Sequence, residues 1–144
     1  MAAEIVTIAA ALASEISGHT FSRALTVARK YVVEYGLEEL AEVRVTVVPR
    51  TVDSTTAARG KVQLDYQVDV AIQQRTDPDD LAACDALMGL VEEVRDFIRG
   101  LSRLAAYPAA AVTGAAITPI YGYDQLAQRR VFTSVVRVEL RVFR

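Results

Sequence analysis

The stretch Lys61-Val62-Gln63-Leu64-Asp65-Tyr66-Gln67-Val68-Asp69-Val70-Ala71-Ile72-Gln73-Gln74-Arg75 decides the fold. Val62, Leu64, Tyr66, Val68, Val70 and Ile72 are apolar, and Gln63, Asp65, Gln67, Asp69 and Gln73 between them are polar. A strict two-residue period over this length predicts a strand with one dry and one wet face. The dry face needs a covering layer, and Asp79 to Leu101 immediately downstream supplies one. Leu81, Cys84, Leu87, Met88, Val91, Val94, Ile98 and Leu101 recur there at helical spacing, and Asp85, Glu92, Glu93, Asp96 and Arg99 fall on the other side. Thr76-Asp77-Pro78-Asp79-Asp80 starts this helix, with Asp77 as cap, Pro78 in the first turn and acids at the positive end of the dipole. Gly89 weakens it by about 1 kcal/mol relative to alanine, which close approach to the sheet would explain.

Upstream, Ile5, Ile8, Ala9, Leu12 and Ile16 predict a one-faced helix over Ala3 to Ser17, ended by Gly18. Glu4 stands where a signal peptide carries a cation, so the helix reading is preferred to a leader. His19 lies in the following connection and reads as a surface residue. Phe21 to Val33 alternates as a strand, Glu34 to Glu42 holds a short turn of helix, and Val43, Val45 and Val47 form a second strand that Pro49 should end. Arg50 to Gly60 has no apolar period and reads as a long loop that either contacts another subunit or is surface disorder. Downstream, Ala110 to Tyr121 reads as an irregular strand near an edge, Tyr121-Gly122-Tyr123-Asp124 as a turn, and Phe132 to Val142 as a last long strand paired within the sheet. The expected fold is a single α/β (α+β) domain spanning residues 1–144, with a mixed or antiparallel sheet of about four to five strands under an N-terminal and a central helix.

A chain of 144 residues with 52% hydrophobic and 24% charged residues can bury one core. A formal net charge of −2 disfavours a bulk nucleic-acid binder, which needs a surplus of Lys and Arg. No apolar run approaches the roughly 20 residues of a membrane span, which predicts a soluble chain. The charge is uneven, however. Asp77 to Asp96 holds seven acids and one arginine, and Arg129, Arg130, Arg137, Arg141 and Arg144 follow Asp124 against Glu139 alone. Subunits meeting through unlike faces and ordinary solvated faces both account for this.

The residue types of catalysis are sparse. Cys84 is the single cysteine and reads as a small core hydrophobe, and one histidine leaves a nucleophile without a base. Asp65 and Asp69 share a strand face roughly 13 Å apart, too far to share a metal or flank a scissile bond. No phosphate-binding glycine motif is present, and Tyr121, Tyr123, Arg129 and Arg130 read as a protein interface rather than a nucleic-acid one. The expectation is no catalytic, cofactor or metal site, and a subunit or partner interface carried by Arg50, Asp53, Arg59, Lys61, Tyr121, Tyr123, Arg129 and Arg130.

The strand Leu64 to Gln73, the helix core Asp85 to Val94, and the ending Pro119-Ile120-Tyr121 through Phe132 to Val136 together resemble the tail terminator and tail-completion proteins of long-tailed bacteriophages. The resemblance covers roughly residues 20–144 and lies in element order and similar phrases. It implies a homo-oligomeric ring, usually a hexamer, which caps the tail tube protein, halts tail polymerisation and docks to the head connector or stopper. It places the protein in the virion neck, and in the host cytoplasm during assembly. DNA may pass through such a ring without sequence-specific contact. A head-completion or connector protein is the neighbouring alternative, and a small regulator or enzyme a more distant one. The pairing of the acidic helix with a basic C-terminal edge across subunits is a further expectation, drawn from charge alone.

Overall fold

The computed structural model describes residues 3–144. In chain order the elements are α1 (Glu4–Gly18), β1 (Thr26–Arg29), a 3₁₀ turn (Glu39–Ala41), β2 (Arg44–Ala58), β3 (Lys61–Arg75), α2 (Leu81–Gly100), β4 (Arg103–Leu104), β5 (Tyr107–Ile117), a π-helical turn (Gln125–Arg129) and β6 (Val131–Phe143). The strands form one six-stranded sheet in the order β1-β2-β3-β6-β5-β4. Only β1 and β2 run parallel; every other pair is antiparallel. The fold is thus the expected single-domain α+β arrangement, with six strands instead of four to five.

The two-residue period of β3 explains its central place. Val68, Val70 and Ile72 are fully buried, and their partners Val138, Val136 and Ser134 on β6 are buried with them. On the other side Val45 and Val47 of β2 pair with Ile72 and Val70. Both helices cover this one face. Helix α1 contributes Ile8, Ala9, Ala11, Leu12 and Ile16, and α2 contributes Leu87, Leu90, Val91, Val94 and Ile98. The last strand is an interior one, flanked by β3 and β5, so the basic C-terminal strand is not a sheet edge.

Several local expectations are corrected. Pro49 does not end its strand: β2 continues to Ala58, with a register shift between Pro49 and Thr51 that absorbs the lost donor. No strand flanks β2 there on its outer side, where proline is tolerated. Residues 50–60 are accordingly not a loop. They form the outer half of a β2–β3 hairpin that turns at Arg59-Gly60, with Gly60 at φ 75°. They lack an apolar period because both faces of this arm are wet. The strand expected over Phe21 to Val33 shrinks to Thr26–Arg29, since Phe21 turns into an aromatic cluster and the chain beyond Lys30 leaves the sheet edge. It crosses the far face, where the Tyr35 hydroxyl meets Thr46 Oγ1 at 3.1 Å and Ala41 O accepts from Gln74 Nε2. That crossing buries Thr46.

Asp80, not Asp77, caps α2, accepting from the Ala83 N–H at 3.1 Å, and Pro78 lies ahead of the helix. Leu81 is 72% exposed, one turn too early to reach the sheet. Gly89 faces water, with nothing within 4 Å of an added Cβ, so close packing does not account for it. Cys84 is half-buried rather than core.

Candidate interaction surfaces

The eight interface candidates divide between the two ends of the strands. Arg50, Asp53, Arg59 and Lys61 lie on the hairpin arm, where every residue from Arg50 to Val62 is exposed. Tyr121, Tyr123, Arg129 and Arg130 lie at the opposite end, where Thr76 at the foot of β3 donates to Arg130 O at 2.8 Å. The run of β3 separates the groups, by roughly 25 Å from Arg50, level with Val68, to roughly 45 Å from Lys61 at the rise of a strand. They are therefore two surfaces, not one.

On the arm, Val52 and Val62 expose apolar side chains, and Phe143 stands beside Gln63 at the end of β6, 58% exposed. At the opposite end Ile120, Tyr121 and Tyr123 are exposed near the start of α2. There an apolar hollow of about 290 Å³ is lined by Cys84, Met88, Tyr121, Tyr123 and Phe132. Burial, with Asp80 and Asp85 nearby, pushes the Cys84 thiol upward, so it stays protonated and a poor nucleophile.

The uncovered sheet face carries a charge ladder closed within the subunit. Asp69, 5% exposed, takes Arg50 at 2.8 Å and Arg137 at 3.5 Å, and Asp65 takes Arg141 at 2.8 Å. The hydrogen bonds from Arg141 and Gln63 hold the Asp65 carboxyl below its ordinary range. Asp69 is thus a buried, doubly paired carboxylate and not the solvent-facing residue the strand period suggests. Arg130 likewise pairs with Asp77 at 3.4 Å. Of the cations expected to reach an acidic helix across subunits, Arg130, Arg137, Arg141 and Arg144 meet acids of their own chain.

Sequence reading gives no hint of the cluster at Glu4. This carboxylate, on the first turn of α1, accepts from the Tyr66 hydroxyl at 2.5 Å, from the Tyr107 hydroxyl and from Arg144 at 2.8 Å. Burial works to raise Glu4, but the donors from Tyr107, Tyr66 and Arg144 outweigh it and its pKa is lowered. Burial, then the bond to Glu4, pushes Tyr66 up to about 12. The four residues come from three elements and the residue after β6, separated by up to 140 positions, so no local pattern announces them.

A hollow of about 570 Å³ lies between the 31–42 crossing and the π-helical turn, lined by Tyr35, Gln73, Gln125, Gln128 and Arg129. Two of its lining carboxamides are joined through Thr133: Gln73 Nε2 donates to Thr133 Oγ1 at 3.1 Å and Thr133 Oγ1 donates to Gln125 Oε1 at 3.1 Å. Carboxamides orient a ligand but do not transfer protons near neutrality. His19 is stacked on Phe97 at 4.1 Å and edge-on to Phe21 at 4.6 Å. Among the described residues no group of three or more His, Cys, Asp or Glu is placed to hold a metal ion, and no helix is long and apolar enough to cross a membrane.

Neither a scan against protein-family models nor a search of curated proteins finds a match to this chain.

Proposed function

We propose that this protein is a structural component of the head–tail neck of a long-tailed bacteriophage. In this reading copies of the chain form a ring, hexameric in the family it resembles, that caps the tail tube, stops its polymerisation and docks to the head connector. It works by presenting surfaces, with no bond made or broken. The observation that carries the reading is the β2–β3 arm. A paired, regular hairpin whose thirteen residues from Arg50 to Val62 are all exposed adds nothing to the core of its own subunit. Ordered backbone that leaves the body and carries apolar residues outward is the form a contact surface takes. The resemblance in β3, α2 and β6 supplies the kind of contact.

The test uses a tail tube protein encoded in the same genome. Purified tube protein is polymerised in the presence and absence of the candidate, and tube length is measured by electron microscopy while mass is followed in solution. Short tubes capped at one end are expected. Tubes that grow to the same length with and without it, and no co-sedimentation, would sink the assignment.

A further inference from the structure

The sheet has a bare edge on each side, and the two match. On one side β1 accompanies β2 only as far as Val47, leaving Val48 to Ala58 without an outer neighbour. On the other, β4 and Ser102 accompany β5 only as far as Val112, leaving Thr113 to Ile117 bare. Unpaired strand edges are templates for another strand. Following the register across the sheet, Val48 aligns with Asp69, Arg137 and Ala116, and Thr51 aligns with Gln67, Glu139 and Gly114. The two bare stretches overlap in height from Val48 to Thr51, and the β2 stretch runs on past the β5 one to Ala58.

We infer that the bare edge of β2, Thr51 to Thr56, pairs with the bare edge of β5, Thr113 to Ile117, of a second copy shifted along the strands by roughly four residues, so that the sheet continues from subunit to subunit. This deepens the ring reading above and rests on it for closure. Strand polarity is the first reason. Since β2, β3, β6 and β5 alternate in direction, β2 and β5 run oppositely. A copy rotated about an axis moderately inclined to the strands keeps their sense, so its β2 meets its neighbour's β5 antiparallel, and the inclination supplies the shift along the strands. The contact is heterologous, and such contacts close into rings. Side-chain size is the second. Gly114, Ala115 and Ala116 place no bulk or charge on the β5 edge, and Thr51 to Thr56 contains no proline or lysine to block it.

Cysteine pairing tests the arrangement. In a Cys84→Ala background, Thr113→Cys is combined in turn with Thr51→Cys, Asp53→Cys or Thr55→Cys. These three share one face of β2, so any even stagger between the edges is sampled. All four positions except Asp53 are exposed threonines, and none touches the core. Under mild oxidation at micromolar to millimolar protein, at least one pair variant should give a ladder of covalent oligomers ending in a closed ring, and no single variant should cross-link. Dimers from a single β2 variant would mean self-pairing of one edge and would overturn the inference. So would a chain that stays monomeric, or an oligomer by mass in which no pair variant cross-links. Failure of the neck assignment looks different: covalent rings form, yet tail tubes grow unchecked.

Discussion

Glu4 shows how much one side chain can tie together. Its carboxylate joins α1 to β3 through Tyr66, to β5 through Tyr107 and to the residue after β6 through Arg144, while itself only 9% exposed. Hydrogen bonds to a charged group contribute about 1.5–3 kcal/mol, and the buried hydroxyls left behind lose a strong acceptor. Glu4→Gln should therefore cost about 2–3 kcal/mol in urea unfolding. The pH dependence has a definite sign. Because the folded pKa of Glu4 is lowered, its stabilisation is complete above the unfolded carboxylate value and is lost as pH falls through the folded one. Tyr66 acts at the other end. Raised from 10.0 to about 12, it contributes stability that is full below pH 10 and fades as pH climbs toward 12. Unfolding midpoints measured across both ranges should fall at each extreme in the parent, with the acid limb flattened in Glu4→Gln and the alkaline limb flattened in Tyr66→Phe. Asp69 is a gentler case. Its two arginine partners are about half exposed and can rehydrate, so Asp69→Asn should cost about 1–2 kcal/mol, less than the 3–5 kcal/mol of a fully buried pair.

Among the elements, α2 separates packing from propensity. Leu87 and Val91 lie fully against the sheet, and truncation of Leu87 to alanine should cost about 2–5 kcal/mol through the cavity it leaves. Leu81→Ala, on the same sequence stripe but exposed, should change stability by less than about 0.5 kcal/mol. Gly89→Ala should stabilise by up to about 1 kcal/mol, since the new Cβ meets nothing and the helix loses its most flexible residue. Chemical denaturation of the three variants orders them directly; a destabilised Gly89→Ala would contradict the open surroundings of that position. The same contrast shows what the sequence could reveal. Where one face is dry and the other wet, as in β3, β6 and α2, the period states the element and its orientation. In the arm both faces are wet, so Thr51 to Ala58 has the composition of a loop and the backbone of a strand. Strand β1 owes its shortness to the crossing that follows it, a tertiary fact with no local signature. Of the interaction surfaces, Arg50 to Lys61 and Tyr121 to Arg130 were marked by residue type. Their separation to opposite ends follows only from the path of β3, and the bare edges of β2 and β5 only from the strand order.

At the scale of the whole molecule, stability and assembly fall on different parts of the chain. The core lies between the helices and the lower two-thirds of the sheet, and the outer arm touches none of it: Thr56 to Val62 is exposed throughout. Shortening the arm therefore separates the two properties. Replacing Thr56 to Val62 by Asn-Gly joins Thr55 to its cross-strand partner Gln63 through a two-residue turn suited to the twist of a hairpin. The lost pairings are solvent-exposed on both faces, and the contact that goes with them is the reciprocal bonding of Val62 with Arg144 at 2.8 and 2.9 Å. Folding free energy should drop by no more than about 1–2 kcal/mol, the worth of a few exposed hydrogen bonds. Association should fall further, because the tip residues Arg59, Lys61 and Val62 go and the edge inferred to pair with a neighbour's β5 now ends at Thr55. Sedimentation velocity on parent and shortened chains, each checked by circular dichroism for an intact fold, reads both properties at once. A folded variant that no longer assembles fits an arm built for contact between subunits. A variant that assembles as the parent does would show that the tip takes no part in the contact, and one that fails to fold would make the arm part of the core after all.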